Sequence, residues 1–198
     1  EFGQSVALSA DGRRLAVAAT RRHSFDGAVY LFERSGASWS QQVQLTPPTA
    51  DQGARFGKAL ALAGDGTTLA VGENEGFATA AAVHVYSYTA SGWSVVPQTL
   101  PSPEPADLSS TFGSALAMAG DGNTLAVGVR SQRTTPTATA GAAYVYARGA
   151  GGWALQTRLL ASNSGDADDF GQHQRYGAVD DVSEPRRARR EHRRTERR

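Results

Sequence analysis

Residues 2–17 read FGQSVALSADGRRLAV, and the pattern returns as FGKALALAGDGTTLAV at 56–71 and as FGSALAMAGDGNTLAV at 112–127. Phe-Gly pairs at 2–3, 56–57, 112–113 and 170–171 set a repeat of 54, 56 and then 58 residues, so three full units and the opening of a fourth are written into the chain. In each full unit Asp-Gly begins nine residues after the Phe, at Asp11, Asp65 and Asp121, and Leu-Ala-Val begins thirteen after it, at Leu15, Leu69 and Leu125. A second block of fixed length carries Tyr30, His84 or Tyr144, with Trp39, Trp93 or Trp153 nine residues further on.

Inside the first block the period is two. Val6 and Leu8, Leu60 and Leu62, and Leu116 and Met118 alternate with Ala7, Ala61 and Ala117, which is the pattern of a strand with one heavily apolar face. Asp-Gly then supplies a turn, because Gly accepts positive φ without a Cβ clash, and Leu-Ala-Val is the returning strand. The second block repeats the logic: AVYLF, AVHVY and AAYVY are short runs rich in β-branched and aromatic residues, a Gly-bearing turn follows, and a Trp-led strand ends near Leu45, Leu100 and Leu159. Two hairpins give four strands per unit. The expected fold is all-β, a β-propeller of four-stranded antiparallel blades with about three blades present and the ring incomplete, because four short strands and their turns fill 50 to 60 residues. The units divide as 1–55, 56–111, 112–169 and a stub with a tail at 170–198.

These blocks, FGxSVALSxDGxxLAV followed by a GAVYLF-type strand and a Trp, resemble the FG-GAP repeat of integrin α-chain and bacterial cell-surface propellers over roughly residues 2–172. The resemblance implies a propeller, commonly of seven blades, in an extracellular or cell-envelope protein concerned with adhesion or ligand binding. Two departures narrow what carries over. The Gly-Ala-Pro expected after the second strand is replaced by LAVAAT, LAVGEN and LAVGVR. Calcium-binding members carry a DxDxDG-like loop with a further acidic residue, whereas the matching positions here are Ala7, Ser9, Asp11 and Leu15, then Ala61, Ala63, Asp65 and Leu69, then Ala117, Ala119, Asp121 and Leu125. A hard cation needs several oxygen ligands at once, so one carboxylate per loop reads as a turn former, and no metal or other cofactor is expected.

Composition excludes further chemistry. None of the 198 residues is Cys, which removes disulfides, thiolate metal sites and thiol nucleophiles. No apolar run approaches the length of a spanning helix, and no signal-peptide pattern opens the chain. Because it starts without Met and close to a repeat landmark, the chain reads as a piece of a longer frame, with the remaining blades of the same parent chain as partners. The net charge of +1 conceals a division: residues 186–198 hold +6, leaving the body at −5. Any nucleic-acid reading rests on that Arg-rich end alone, so no nucleic-acid partner is expected.

Other candidates read as structure. Trp39, Trp93 and Trp153, one per unit, fit blade packing better than a stacking platform. His84, standing where other units have Tyr, is expected as a packed or edge His. His23 with Asp26 lies in a surface-loop context without a nucleophile, and Asp166, Asp168 and Asp169 read as a solvated loop. No phosphate loop or HExxH pair is present, so no catalytic residues are assigned. Length varies in two connectors per unit, from strand two to three (20–26, 74–80, 130–140) and from strand four to the next unit (46–55, 101–111). In an up-and-down blade both emerge at one end, which becomes the expected binding face for a protein or glycan. After Phe170-Gly171 the pattern breaks into HQRYGAVDD and the Arg-rich run, inside a segment that three earlier units specify as a strand; this favours a shifted reading frame over a functional tail. The expected function is a non-enzymatic ligand-binding or adhesion scaffold; the alternative is the propeller portion of a larger secreted hydrolase whose catalytic residues lie elsewhere. The outer faces bearing Leu8, Val17 and Leu31, and Leu116, Val127 and Val145, are expected to be partly wet.

Overall fold

The computed structural model describes residues 2–22, 25–49, 53–73, 81–103, 111–133 and 139–160. The described residues form strands and turns with no helix, arranged as three antiparallel sheets. Sheet 1 runs β1 (Val6–Leu8), β2 (Arg14–Ala18), β3 (Val29–Ser35), β4 (Ser38–Leu45) in spatial as in chain order. Sheet 2 comprises β5 (Leu60–Leu62), β6 (Thr68–Glu73), β7 (Ala82–Thr89), β8 (Gly92–Trp93) and β9 (Gln98–Pro101), with β8 and β9 both paired to β7. Sheet 3 is β10 (Ala115–Met118), β11 (Thr124–Arg133), β12 (Thr139–Gly149) and β13 (Gly152–Leu159), again in meander order.

The first block of each unit forms a hairpin, as its alternation leads one to expect. Val6 pairs with Val17 and Leu8 with Leu15, and the equivalents are Leu60 with Val71 and Leu62 with Leu69, then Leu116 with Val127 and Met118 with Leu125. The turn between them is longer than a two-residue hairpin loop. Gly12 N donates to Ser9 O, Gly66 N to Ala63 O and Gly122 N to Ala119 O, each at 2.9 Å, with the three glycines at φ 64°, 70° and 68°. That left-handed backbone is why Gly follows the Asp.

The fourth strand departs from expectation in unit two. The third and fourth strands of sheets 1 and 3 pair with a single register shift each, between Leu31 and Phe32 and between Val145 and Tyr146. In unit two the Trp-to-Leu interval is one residue longer, 93 to 100 against 39 to 45 and 153 to 159, so part of the length variation lies within the strand and not only in the connectors. The insertion splits the strand into β8 and β9 at Pro97, which has no N–H to give to β7, and turns Val95 and Val96 out to solvent.

Each sheet has a front face, on which its own Phe-Gly lies, and a back face of smaller residues. Phe2 packs on Tyr30 and Phe32, Phe56 on His84 and Tyr86, and Phe112 on Tyr144 and Tyr146, with ring centroids 5.4–6.4 Å apart in all six contacts. The front of sheet 2 (Phe56, Leu69, Val71, Tyr86) buries against the back of sheet 1 (Ala16, Ala18, Val29, Leu31, Leu45). The front of sheet 3 (Phe112, Leu125, Val127, Tyr144, Tyr146, Trp153) buries against the back of sheet 2 (Ala61, Ala70, Val83, Val85, Leu100). The two cores therefore lie between units, not within them.

This arrangement corrects the expected wet faces. Leu31 pairs with Ala16, not with Val17, so it points to the back of sheet 1 and is buried under sheet 2, and Val17 is also buried. Val127 is fully buried against sheet 2, while Val145, paired with Ala126, belongs to the opposite face. Leu8 is exposed as expected, together with Phe2 and Val6.

Candidate functional site

The first strands of the three sheets lie side by side. At the Asp-Gly end the units are tied by backbone hydrogen bonds, Ala10 N to Gly64 O at 2.9 Å and Asp65 N to Gly120 O at 3.2 Å. At the other end the strands enclose a cleft of about 480 Å³ lined by Gln4, Ser5 and Val6 of unit one, Lys58, Ala59 and Leu60 of unit two, and Ser114, Ala115 and Leu116 of unit three, with Arg130 of the neighbouring strand β11. Every unit thus contributes the three residues that follow its Phe-Gly. Ser5 Oγ donates to Gly57 O at 2.7 Å and Arg130 N donates to Thr111 Oγ1 at 2.8 Å, so hydrogen bonds to neighbouring backbone and connector fix the lining.

The cleft opens at the end where the length-variable connectors begin: β2 and β6 end there and the Phe-Gly pairs arrive there, with Gly3 N bonded to Ala18 O, Gly57 N to Gly72 O and Gly113 N to Gly128 O. Its lining mixes polar and apolar residues and carries two cationic side chains, with no acidic residue among those named. Of the connectors singled out in the sequence, 23–24, 50–52, 74–80, 104–110 and 134–138 lie outside the described residues. Sequence reading found this end but missed the cleft; the signal was available, because residues a fixed two to four positions after Phe start three converging strands.

The Asp-Gly carboxylates are at the opposite end and are engaged in the turns. Asp11 Oδ1 accepts from Arg13 N at 2.9 Å, Asp65 Oδ1 from Thr67 N at 2.8 Å and Asp121 Oδ1 from Asn123 N at 3.0 Å. The Ser9 hydroxyl, bonded to Asp11 Oδ1 at 2.6 Å, and the Arg13 N–H hold the Asp11 carboxyl below its ordinary pKa. Among the described residues no group of three potential metal ligands gathers.

His84 is packed, with a partner that sequence reading did not find. Its Nε2 is bonded to Glu73 Oε2, and its Nδ1 meets Thr99 Oγ1 at 3.0 Å. Glu73 and His84 are each 3 % exposed. Val71 pairs with His84 and Glu73 with Ala82, so Glu73, His84 and Thr99 share the front face of sheet 2, against sheet 1. The remaining Glu73 oxygen and the Tyr86 hydroxyl are buried without hydrogen-bond partners in the described structure. Burial first, and the Glu73 charge second, push the Tyr86 hydroxyl well above its ordinary range. The equivalents of Glu73 and His84 are Ala19 and Tyr30 in unit one and Val129 and Tyr144 in unit three. Both departures fall in one unit, diagonal across one strand pair, and that was the readable signal. The carboxylate, imidazole and hydroxyl stand in the order of a nucleophilic relay, but Thr99 is on the outer strand β9, across the sheet from the cleft on the first strands.

The other candidates sort plainly. Trp153 is buried in the core between sheets 2 and 3 and Trp93 packs edge-on to Tyr88, whereas Trp39, on the front of sheet 1, is 41 % exposed beside Arg34. Asp26 accepts from Phe56 N through its main-chain oxygen at 3.0 Å; His23, Asp166, Asp168, Asp169, Phe170-Gly171 and the Arg-rich end lie outside the described residues. No helix of the described structure is long and apolar enough to cross a membrane. The chain matches no protein-family model and no curated protein.

Proposed function

We propose that the three sheets are consecutive blades of an FG-GAP-type β-propeller and that the chain is a non-enzymatic binding scaffold, of extracellular or cell-envelope type, which presents its connector end to a protein or glycan partner. The observation that carries this reading is the cleft, to which each unit gives the three equivalent residues after its Phe-Gly, at the end from which the variable connectors spring. A repeat with a fixed framework and variable connectors at one end supports reading that end as the recognition surface. Lys58 and Arg130 suit a partner bearing carboxylate or sulfate groups.

The test is retention on immobilised acidic oligosaccharides, neutral oligosaccharides and collagen. Wild-type chain is expected to be held by at least one of these, A59W/S114W to lose retention by filling the cleft, and R13E, at the opposite end, to keep it. Retention by none of the probes, or retention indifferent to A59W/S114W, would overturn the assignment.

A further inference from the structure

Unit two departs from its neighbours at three positions that meet in space. Cross-strand pairing sets Tyr30 opposite Gln44 in sheet 1, His84 opposite Thr99 in sheet 2 and Tyr144 opposite Arg158 in sheet 3. With Ala19 and Val129 equivalent to Glu73, the sets Ala19, Tyr30, Gln44 and Val129, Tyr144, Arg158 occupy the places that unit two fills with Glu73, His84, Thr99. Packing does not call for the exchange, because sheet 3 buries Val129 and Tyr144 against its neighbour with 0 % and 1 % of their surface exposed. Glu73 and His84 instead leave Glu73 Oε1 and the Tyr86 hydroxyl buried without hydrogen-bond partners, a desolvation cost that the valine and tyrosine avoid.

The three side chains also run from the interior to the surface. Glu73 and His84 are buried, whereas Thr99 on the outer strand is exposed. A carboxylate has no hydrogen to give, so the bond at Glu73 Oε2 is donated by the ring N–H at Nε2. In the neutral ring that assignment leaves a lone pair at Nδ1, 3.0 Å from Thr99 Oγ1, so the Thr99 hydroxyl is the donor there. Phe56 packs on the imidazole, with centroids 5.8 Å apart, and holds the ring between its two partners. A hydroxyl within reach of a base that a third group orients is the arrangement that activates an oxygen nucleophile.

We propose that Thr99 is a nucleophilic hydroxyl that takes an acyl group from an activated ester, with His84 as its base and Glu73 as the positioning residue. Thr99 Oγ1 adds to the ester carbonyl as its proton passes to His84 Nδ1, and the Glu73 carboxylate stabilises the imidazolium so formed. The bond from the carbonyl carbon to the leaving oxygen then breaks, and Nδ1 returns the proton to that oxygen. The products are a threonyl ester on the outer strand and a free alcohol. This goes beyond the binding reading and stands independently of it, since the cleft is built on the first strands.

The experiment treats the folded full chain with p-nitrophenyl acetate and measures acetylation residue by residue by peptide mass spectrometry. Thr157 is the internal reference: it is exposed on the outer strand of sheet 3 and lies opposite Val145, which offers no base. Thr99 is expected to react on the order of 10²-fold faster than Thr157. E73V/H84Y, which copies the pair that packs in sheet 3, is expected to bring Thr99 down to the Thr157 rate with an unchanged circular dichroism spectrum. E73Q, which keeps the side-chain shape and removes the charge, is expected to cut the ratio at least about tenfold with the same spectrum. Equal rates at Thr99 and Thr157 in the wild type overturn the proposal, as they would if the hydroxyl merely accepted a hydrogen bond from an imidazolium. An enhancement that survives E73V/H84Y overturns it as well, and one undiminished in E73Q removes Glu73 from the relay.

Discussion

Removing the Glu73 carboxylate tests how the second unit tolerates charge in its core. In Glu73→Ala the imidazole of His84, 3 % exposed, loses its acceptor at Nε2 and keeps only Thr99 at Nδ1. Loss of one partner from a buried ion pair costs about 3–5 kcal/mol, whereas loss of a neutral buried hydrogen bond costs about 1–3 kcal/mol. Either is a large share of the roughly 5–15 kcal/mol that holds a domain of this kind together. The informative partner variant is E73V/H84Y, which copies Val129 and Tyr144 of unit three. The seat accepts the exchange geometrically, since the Phe56–His84 and Phe112–Tyr144 centroid distances are both 5.8 Å. It also removes the orphaned Glu73 oxygen and its field on Tyr86. Replacing a buried ionic pair with packed neutral side chains is commonly neutral or stabilising by about 1–4 kcal/mol. Urea unfolding of wild type, E73A and E73V/H84Y is expected to place the single variant at least about 2 kcal/mol below the double. If E73A costs less than about 1 kcal/mol, or the double is no more stable than the single, the pair is not the buried, mutually dependent unit described here.

Two further predictions concern the repeat's fixed residues. Gly57→Ala is expected to destabilise more than Gly3→Ala. Both residues have positive φ, an L-residue penalty of about 1–2 kcal/mol, but only the Gly57 Cβ would overlap the neighbouring sheet at 2.7 Å, adding about 1–3 kcal/mol of overpacking. Thermal unfolding of the two variants decides this, and equal losses would show that the glycine serves the turn alone. Calcium is expected to leave the unfolding temperature unchanged, because each turn carboxylate already accepts a backbone N–H; a saturable rise abolished by Asp65→Ala would refute that.

Much of the fold was legible because the sequence states its hairpins three times. Alternation in VALS, LALA and LAMA marked the first strands, and Asp-Gly marked the turns, in which the Asp side chains accept backbone N–H groups. Facing was harder. Grouping Leu31 with Leu8 and Val17 failed because the face of a residue on β3 depends on its register with β2, where Leu31 meets Ala16. The split of β8 and β9 was hidden because a one-residue insertion looks the same in a connector and in a strand until Pro97 is placed against β7. The Glu73–His84 pair was missed for a related reason: eleven residues separate the two in the chain, and only the pairing of β6 with β7 sets them diagonal on one face.

The Phe-Gly dipeptide explains why the repeat is written so strictly at its start. Its Phe stacks on the third strand of its own sheet, its Gly N–H closes the end of the second strand, and its Gly Cα faces the back of the preceding sheet. One dipeptide therefore joins three elements, two within a unit and one across units. A larger residue at the Gly would separate the sheets, and a smaller residue at the Phe would open a cavity in a core that two units share. The cost of either change is consequently spread over neighbours, which is the physical reason these two positions recur while the outer connectors drift. The second unit shows the other side of this logic. Both its faces are covered, so it can hold Glu73 and His84 away from water.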